Sequence, residues 1–185
     1  MTALLTAESR GSTGPSKNEK IAQAIAECKR LNIIVNPPDI NSSGKDFTIE
    51  EGKYIRFGLS AIKNVGDAAI GNIIENHAES DFKSFEDFCE RVDLGTINKK
   101  TMESLIKAGA MDNFGINRAA LLASYTNIID LITKKKKNTS AGQESLFGET
   151  PASASSEKTN NNDVNDFSKD EKLAFEKEFL KKIIK

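Results

Sequence analysis

Histidine and cysteine are scarce in this sequence of 185 residues, which has one histidine and two cysteines. A single histidine, His77, excludes a metal site with several histidine ligands. Its expected place beside Asn76, at a helix end, predicts a capping or solvent-exposed role. Cys28 and Cys89 lie within helical patterns and lack the close spacing of metal ligands. We therefore predict two buried, reduced thiols, as is usual in a cytoplasmic protein.

Long apolar runs are also missing from the sequence. No window approaches the roughly 20 apolar residues that a membrane-spanning helix needs. The first five residues, Met1–Leu5, have no basic side chain before a short apolar run, unlike a secretory signal. We therefore predict a cytoplasmic protein with no membrane partner.

Carboxylates are numerous, but no pattern groups them as ligands of two metal ions, which phosphoryl transfer requires. Glu50 and Glu51 occupy a predicted turn, while Asp163 and Asp166 lie in a polar stretch. A glycine-rich phosphate loop of the Walker type is absent as well. The sequence therefore predicts no catalytic residue, no metal site and no cofactor in this chain.

The net charge of −1, from 26 basic and 27 acidic residues, gives no sign of nucleic-acid binding. The charge is unevenly distributed, however, because residues 95–140 carry eight basic side chains and three acidic ones, a local net charge of +5. Electrostatic binding to DNA depends on such a local face and not on the chain average. Two interpretations remain open: a nucleic-acid-binding face, or solvated helix faces with a basic helix end.

Apolar periodicity predicts a mainly α fold with one small β-hairpin. Residues 17–31 have helical spacing, and the segments Phe47–Ile49 and Lys53–Phe57 alternate as the two strands of a hairpin. Ser84 and Asn98 stand where helix N-caps are expected. Residues 138–165 have the polar composition of a flexible linker, and a last helix is predicted from Ser168 to about Ile184.

The most informative segment is Gly58–Ile74, which predicts two apolar helices joined by a tight hairpin at Asn64, Val65 and Gly66. Asparagine and glycine are the residue types that best tolerate turn backbone. Such a hairpin exposes the amides at the N-terminus of the second helix, where the positive end of the dipole can hold a phosphate without reading a base. The alternative is a sharp helix connection that only buries apolar side chains.

A second helix, turn and helix follows about 40 residues later. A helix is predicted from Thr101 to Ala108, the chain breaks at 109–115, and a further helix runs from about 117 to 133. Lys63 and Lys107 each stand beside one of the two hairpins, where an ammonium group is within reach of a phosphate. The two motifs together predict a tandem helix-hairpin-helix module.

The predicted linker contains one apolar island, residues 143–147. Disordered segments usually lack such pairs of apolar side chains, because they cannot bury them locally. Leu146 and Phe147 therefore suggest an anchor for the groove of a partner, with Gln143 as a polar contact. A chance pair of apolar residues in a disordered tail is the alternative.

These segments, in this order, are similar to part of the alpha subunit of bacterial DNA polymerase III. The resemblance covers roughly residues 2–148. The segments that carry it are Glu27–Leu31, Pro37–Asn41, Arg56–Gly66, Phe85–Cys89, Asn98–Lys100, Glu103–Ala110 and Asn117–Leu121.

The resemblance implies that this region closes the fingers of the polymerase and contacts the backbone of the primer-template duplex. It implies DNA-contacting roles for Lys63, Asn64, Val65, Gly66, Lys107, Ala108, Gly109 and Ala110. We expect Lys99 and Lys100, two of the eight basic side chains of residues 95–140, to contact DNA as well. The family also carries a peptide of the form Gln-x-x-[Leu/Met]-Phe that binds the sliding clamp, its beta subunit. Gln143, Leu146 and Phe147 fit that peptide.

The resemblance divides the chain into four parts: 1–57 as the end of the fingers with the β-hairpin, 58–137 as the helix-hairpin-helix module, 138–167 as the linker with the clamp peptide, and 168–185 as a helix leading toward an OB-fold. The family's palm, with its magnesium-binding carboxylates, precedes this region. We therefore expect a fragment or partial reading frame that is inactive alone and works with the rest of the holoenzyme. A free-standing helix-hairpin-helix adaptor for nucleic acid is the alternative.

Overall fold

The computed structural model of the chain describes residues 1–11, 15–125 and 164–180, with side chains undescribed over 8–18. Within these ranges the fold is mainly helical with one small sheet, as predicted. The helices are α1 (Thr2–Gly11), α2 (Pro15–Arg30), α3 (Asp67–Glu79), α4 (Phe85–Arg91), α5 (Lys99–Lys107), α6 (118–125) and α7 (Lys169–Phe179). The strands are β1 (Ile34–Asn36), β2 (Thr48–Glu50) and β3 (Tyr54–Arg56).

The sheet has three strands in the order β1-β3-β2. The predicted hairpin of β2 and β3 is confirmed, with Ile49 opposite Ile55. The third strand, β1, was not predicted; it pairs in parallel with β3, with Val35 beside Ile55. Arg56 connects all three strands, because its guanidinium contacts the Glu50 carboxylate at 2.7 Å and the Pro37 carbonyl just after β1 at 2.9 Å.

The core extends through the described part of the chain and is rich in phenylalanine. The Phe47 and Phe57 rings meet edge to face at 4.7 Å between centroids, and those of Phe82 and Phe88 do so at 4.9 Å. Such edge-to-face pairs add to the gain from burial. Cys28 and Cys89 are buried and form no disulfide, as predicted, and burial raises the pKa of the Cys28 thiol.

The link between β3 and the first hairpin approaches the β1–β2 connection very closely. A Cβ atom at Gly58 would lie 2.4 Å from the carbonyl carbon of Asp46, so glycine alone fits there without a shift. The next two amides donate to this connection: Leu59 to the Gly44 carbonyl at 3.0 Å and Ser60 to the Lys45 carbonyl at 2.9 Å.

The predicted apolar helix before Asn64 is a single 3-10 turn, Leu59–Ala61. Its flanking residues, Gly58 and Ile62, both have extended backbone. The helix does not continue because Ile62 is extended and the Lys63 amide donates to the Phe179 carbonyl at 2.9 Å, not to the Leu59 carbonyl four residues earlier. Leu59 and Ile62 are nevertheless buried, so the apolar pattern correctly identified the side that faces the core.

The helix caps follow the sequence closely. Ser84 and Asn98 accept from the amides three residues on, at Asp87 and Thr101. Helix α7 begins with a full capping box, in which Ser168 and Glu171 satisfy each other's backbone amides. The C-terminal helix is therefore confirmed over Lys169–Phe179, while the predicted continuation over 181–184 lies outside the described residues.

Helix α7 packs against α5 and the first hairpin. Phe179 and Leu180 at its end are buried, and the Phe179 carbonyl accepts from the Lys63 amide at 2.9 Å. The chain just before the helix is attached as well, because the Asn117 side chain donates to the Val164 carbonyl at 2.9 Å. Among the residues described, none of the helices is long and apolar enough to cross a membrane.

Candidate nucleic-acid interface

The N-terminus of α3 is open at the first hairpin. Gly66 is its N-cap, with extended backbone, and no side chain caps the helix. Residues 66–68 are exposed, in contrast to the side-chain caps at the starts of α4, α5 and α7. The first-turn amides of α3 therefore carry the positive end of the helix dipole at the surface without a capping oxygen.

One carboxylate lies at this helix start. Asp67 is the first residue of α3, where its charge interacts favourably with the dipole but would repel a phosphate. The ammonium nitrogen of Lys45 lies 3.0 Å from Asp67 Oδ1; the Lys45 side chain is about half exposed and that of Asp67 largely exposed. This ion pair partly offsets the negative charge beside the open amides.

Asn64 holds the hairpin in its turn conformation. Its φ of 65° lies in the left-handed region, where asparagine is better tolerated than most residues. Its carbonyl accepts from the Thr101 hydroxyl at 3.1 Å, and its side-chain amide donates to Ser104 Oγ, also at 3.1 Å. Both partners are buried residues of α5, so the first hairpin is fixed to the helix that begins the second motif.

Lys99 and Lys100 form the first turn of α5 and are exposed. The Lys100 carbonyl accepts a hydrogen bond from Ser104 Oγ at 2.7 Å. The same hydroxyl oxygen accepts the hydrogen bond from the side-chain amide of Asn64. Lys100, four residues before Ser104, therefore lies on the side of α5 that holds the first hairpin, whereas the Lys99 ammonium lies 5.9 Å from the centre of the Tyr125 ring. Cations at a helix N-terminus interact unfavourably with the helix dipole, so lysine at these two positions does not stabilise α5.

Lys63 lies between the first hairpin and α7. Its ammonium nitrogen is 3.0 Å from Glu178 Oε1, and both side chains are about half exposed, at 46% and 54%. The same ammonium lies 5.7 Å from the centre of the Phe179 ring. The predicted DNA-contacting lysine of the first hairpin is thus already paired with an acidic residue of this chain.

The second hairpin differs from the first in exposure. Ala108 and Ala110 are fully buried, and Gly109 has a φ of 81°. The amides of 108, 109 and 110 donate to carbonyls of α5, those of Ser104, Ile106 and Leu105. These three predicted contact residues therefore form the C-terminal end of α5 and have no free amide to offer, while the half-buried Lys107 ammonium lies over the rings of Phe175 and Phe179.

Arg118 is a residue whose role the sequence did not reveal. Arg118 is one of the eight basic side chains of residues 95–140, yet the residue is only 5% exposed. Its guanidinium binds both carboxylate oxygens of Asp112, at 2.9 and 2.6 Å, and donates to the Lys107 carbonyl at 3.1 Å. Burial alone would lower the pKa of Arg118, but its hydrogen bonds and charge interaction with Asp112 raise that pKa above the usual value. A Cβ atom at Gly109 would lie 2.2 Å from this guanidinium.

The predicted clamp peptide is not part of the interface described above. Gln143, Leu146 and Phe147 are outside the described residues, so the clamp peptide stays a prediction. Among the residues that the structure describes, no group of three or more His, Cys, Asp and Glu side chains is arranged to hold a metal ion.

The open helix start, the turn at Asn64 and the second turn at the end of α5 define a helix-hairpin-helix protein. The family profile described as a helix-hairpin-helix motif matches residues 32–121. Relatives with the name DNA polymerase III subunit alpha are similar along most of the chain, and the chain belongs to that family.

Three of these relatives show the extent of the similarity. The Helicobacter pylori (strain ATCC 700392 / 26695) protein is 44% identical over 158 residues, which is 80% of this chain and 13% of the relative. The Campylobacter jejuni protein is 38% identical over 183 residues, and the Mycobacterium leprae protein 37% identical over 181, each covering 97% of this chain and 15% of the relative. The chain thus spans about a seventh of the length of the curated relatives it matches.

Proposed function

We propose that this segment holds the phosphate backbone of duplex DNA for a replicative polymerase. The observation that carries the proposal is the exposed N-terminus of α3, which lacks a side-chain cap and lies beside Lys63. A helix start of this kind binds phosphate through backbone amides and the dipole, with no contact to a base edge. The contact is independent of sequence, as a polymerase that copies any template requires.

The contact surface that we propose consists of the first hairpin and the start of α5. Residues 63–66 supply the amides and one ammonium, and Lys99 and Lys100 extend the positive charge along the duplex. Lys107 contributes charge at the second hairpin. The buried turn 108–110 supports the interface by shaping the end of α5, because its amides are bonded within the chain.

The segment also tethers the polymerase to the sliding clamp in this proposal. Leu146 and Phe147 fill an apolar pocket of the clamp, and Gln143 anchors the peptide by side-chain hydrogen bonds. The sequence pattern supports this role, as does the name of the relatives, DNA polymerase III subunit alpha. The tether and the backbone contact together keep the enzyme on the primer-template during synthesis.

The rest of the polymerase supplies the chemistry. We propose that this segment acts in the cytoplasm with the remainder of the polymerase III holoenzyme, and that it carries neither catalytic residues nor a cofactor. Nucleotide addition with magnesium belongs to the palm of the family. The free-standing adaptor remains the competing hypothesis, and the alpha-subunit relatives favour the polymerase segment.

The test is the salt dependence of binding to a labelled primer-template duplex. Each lysine–phosphate contact adds about −0.9 to the slope of log K against log[salt], so contacts from all four lysines reduce the affinity about 150-fold between about 50 and 200 mM salt. Lys100→Gln should make the slope shallower by about 0.9. Lys53→Gln is the matched control, because exposed Lys53 lies at the opposite end of β3 from the hairpin. An affinity that is indifferent to salt would contradict the proposal.

A further inference from the structure

Two lysines, one from each hairpin, meet on α7. The ammonium nitrogens of Lys63 and Lys107 both lie 5.7 Å from the centre of the Phe179 ring. Lys63 alone also has a carboxylate partner on this helix, Glu178, at 3.0 Å. A carboxylate and a phosphate bind an ammonium group in the same way, through a charge-assisted hydrogen bond. Glu178 therefore occupies the contact that a DNA phosphate would make with Lys63.

The attachment of α7 does not depend on this ion pair. The Phe179 carbonyl accepts from the Lys63 backbone amide at 2.9 Å, and the side chains of Phe179 and Leu180 are buried. These contacts keep the helix in place when the Glu178 side chain rotates away. Since Glu178 and Lys63 are both about half exposed, their pairing can be exchanged for another anion without unfolding any element.

The neighbouring carboxylate, Glu176, has a different environment. It lies 3.4 Å from Arg118, whose side chain is 6% exposed and bound to Asp112 as well. A buried guanidinium of this kind is out of reach of a DNA backbone, so Glu176 stabilises the packing of α7. Of these two acidic residues, Glu178 is the one that opposes a lysine of the interface.

We propose that Glu178 sets the DNA affinity of this interface by competing with phosphate for Lys63. In the free protein its carboxylate neutralises the lysine, and in the complex the duplex backbone displaces it. The competition weakens binding and lets the segment release the duplex readily as synthesis proceeds. This inference rests on the proposed function and adds to it an internal regulator of affinity.

The experiment compares Glu178→Gln with Asp170→Asn in the full chain. Both changes remove one negative charge from α7, but Asp170 is exposed in the first turn of the helix, at its opposite end. An exposed pair of this type is worth a factor of about two to five. We expect Glu178→Gln to tighten binding to a primer-template duplex about two- to fivefold and to steepen the salt slope by up to about 0.9. Asp170→Asn should leave the slope unchanged.

A double-mutant cycle with Lys63→Gln separates competition from general charge. Lys63→Gln should weaken binding more in the Glu178→Gln background than in the wild type, because only there is Lys63 fully available to DNA. Equal effects of Glu178→Gln and Asp170→Asn, or an additive cycle, would overturn the inference while leaving salt-dependent binding intact. Loss of salt-dependent binding in every variant would overturn the proposed function and the inference together. Thermal unfolding of each variant establishes that the fold is retained.

Discussion

The side-chain amide of Asn64 donates to Ser104 Oγ at 3.1 Å, which connects the first hairpin to a helix 40 residues later in the chain. The Thr101 hydroxyl reinforces the connection by donating to the Asn64 carbonyl at 3.1 Å. The position of the first hairpin is therefore set by α5 and not by the short 3-10 turn before it.

Replacing Asn64 separates the cost of its backbone from the value of its hydrogen bond. Asn64→Gly keeps the left-handed φ and loses one side-chain hydrogen bond, which costs about 1 kcal/mol. Asn64→Ala loses the same bond and adds about 1–2 kcal/mol of strain at positive φ. Urea unfolding of both variants measures the difference. Equal stabilities would mean that the turn relaxes to another conformation.

Gly66→Asp should affect stability and DNA binding in opposite directions. No atom lies within 4 Å of a Cβ placed at Gly66, so a side chain fits there and can cap α3. A capping aspartate gains a few tenths of a kcal/mol over glycine. The same carboxylate occupies the amides and repels phosphate, and we expect affinity for duplex DNA to fall about tenfold.

Gly66→Asn is the matched control for the charge. It caps the same amides without a negative charge, so its affinity should lie between those of the wild type and Gly66→Asp. Fluorescence anisotropy with a labelled duplex and thermal unfolding give the two readouts. An affinity of Gly66→Asp equal to that of the wild type would show that the start of α3 does not touch DNA.

Two other glycines should respond to alanine with opposite signs. Gly71 is inside α3, and its added Cβ would meet nothing within 4 Å, so Gly71→Ala should stabilise the protein by about 0.5–1 kcal/mol. Gly109→Ala should destabilise it by more than about 2 kcal/mol. The added methyl group would collide with the buried Arg118 guanidinium, and alanine is strained at the φ of 81° that Gly109 adopts. The free energies of unfolding, measured side by side, check both signs.

Glu50 gives the stability a defined pH dependence. Hydrogen bonds from Arg56 and then Asn36 lower the pKa of Glu50 below its usual value of 4.5. Because the folded-state pKa is the lower one, the ionised carboxylate stabilises the protein above about pH 4.5, and this contribution is lost as the pH falls toward the folded-state pKa.

The comparison of wild type with Glu50→Gln tests this pH dependence. At pH 7 the variant should be the less stable protein. The difference should shrink as the pH falls below 4.5, where Glu50 itself becomes protonated in the wild type. A difference that stays constant from neutral to acidic pH would show that the charge of Glu50 contributes nothing.

The clamp peptide makes a prediction that is independent of the interface. Leu146→Ala combined with Phe147→Ala should abolish binding to the sliding clamp, because both apolar anchors are removed. Binding to duplex DNA should be unchanged, since neither residue belongs to the proposed DNA surface. Surface plasmon resonance with immobilised clamp measures the first effect and anisotropy the second. Equal clamp affinity in wild type and double variant would remove the anchor hypothesis.

Features that depend on neighbours in the sequence were the ones that the sequence predicted well. The caps at Ser84 and Asn98, the helix start at Ser168 and the β2–β3 hairpin all depend on residues a few positions apart. The apolar pattern also identified buried Leu59 and Ile62, although the element there is a 3-10 turn.

Features that depend on distant segments were missed. The parallel strand β1 pairs with β3, about 20 residues away. Its short β-branched run, Ile33–Val35, does not show which strand it pairs with. Arg118 is held by Asp112 and by Glu176 of α7, and the Ala110 carbonyl accepts from the amide of Ile40, 70 residues earlier. Charge counting placed Arg118 on the surface, because a sequence does not show which basic residues have internal carboxylate partners.

The close approach of Gly58 to Asp46 gives the first hairpin a mechanical property. The segment between β3 and Asn64 is held at Gly58 by backbone contact, at the next two residues by hydrogen bonds, and at Asn64 by α5. Because these contacts leave the segment little freedom, the start of α3 should keep a constant orientation relative to the three-stranded sheet. A rotation of the sheet would then reorient the proposed phosphate contact as well.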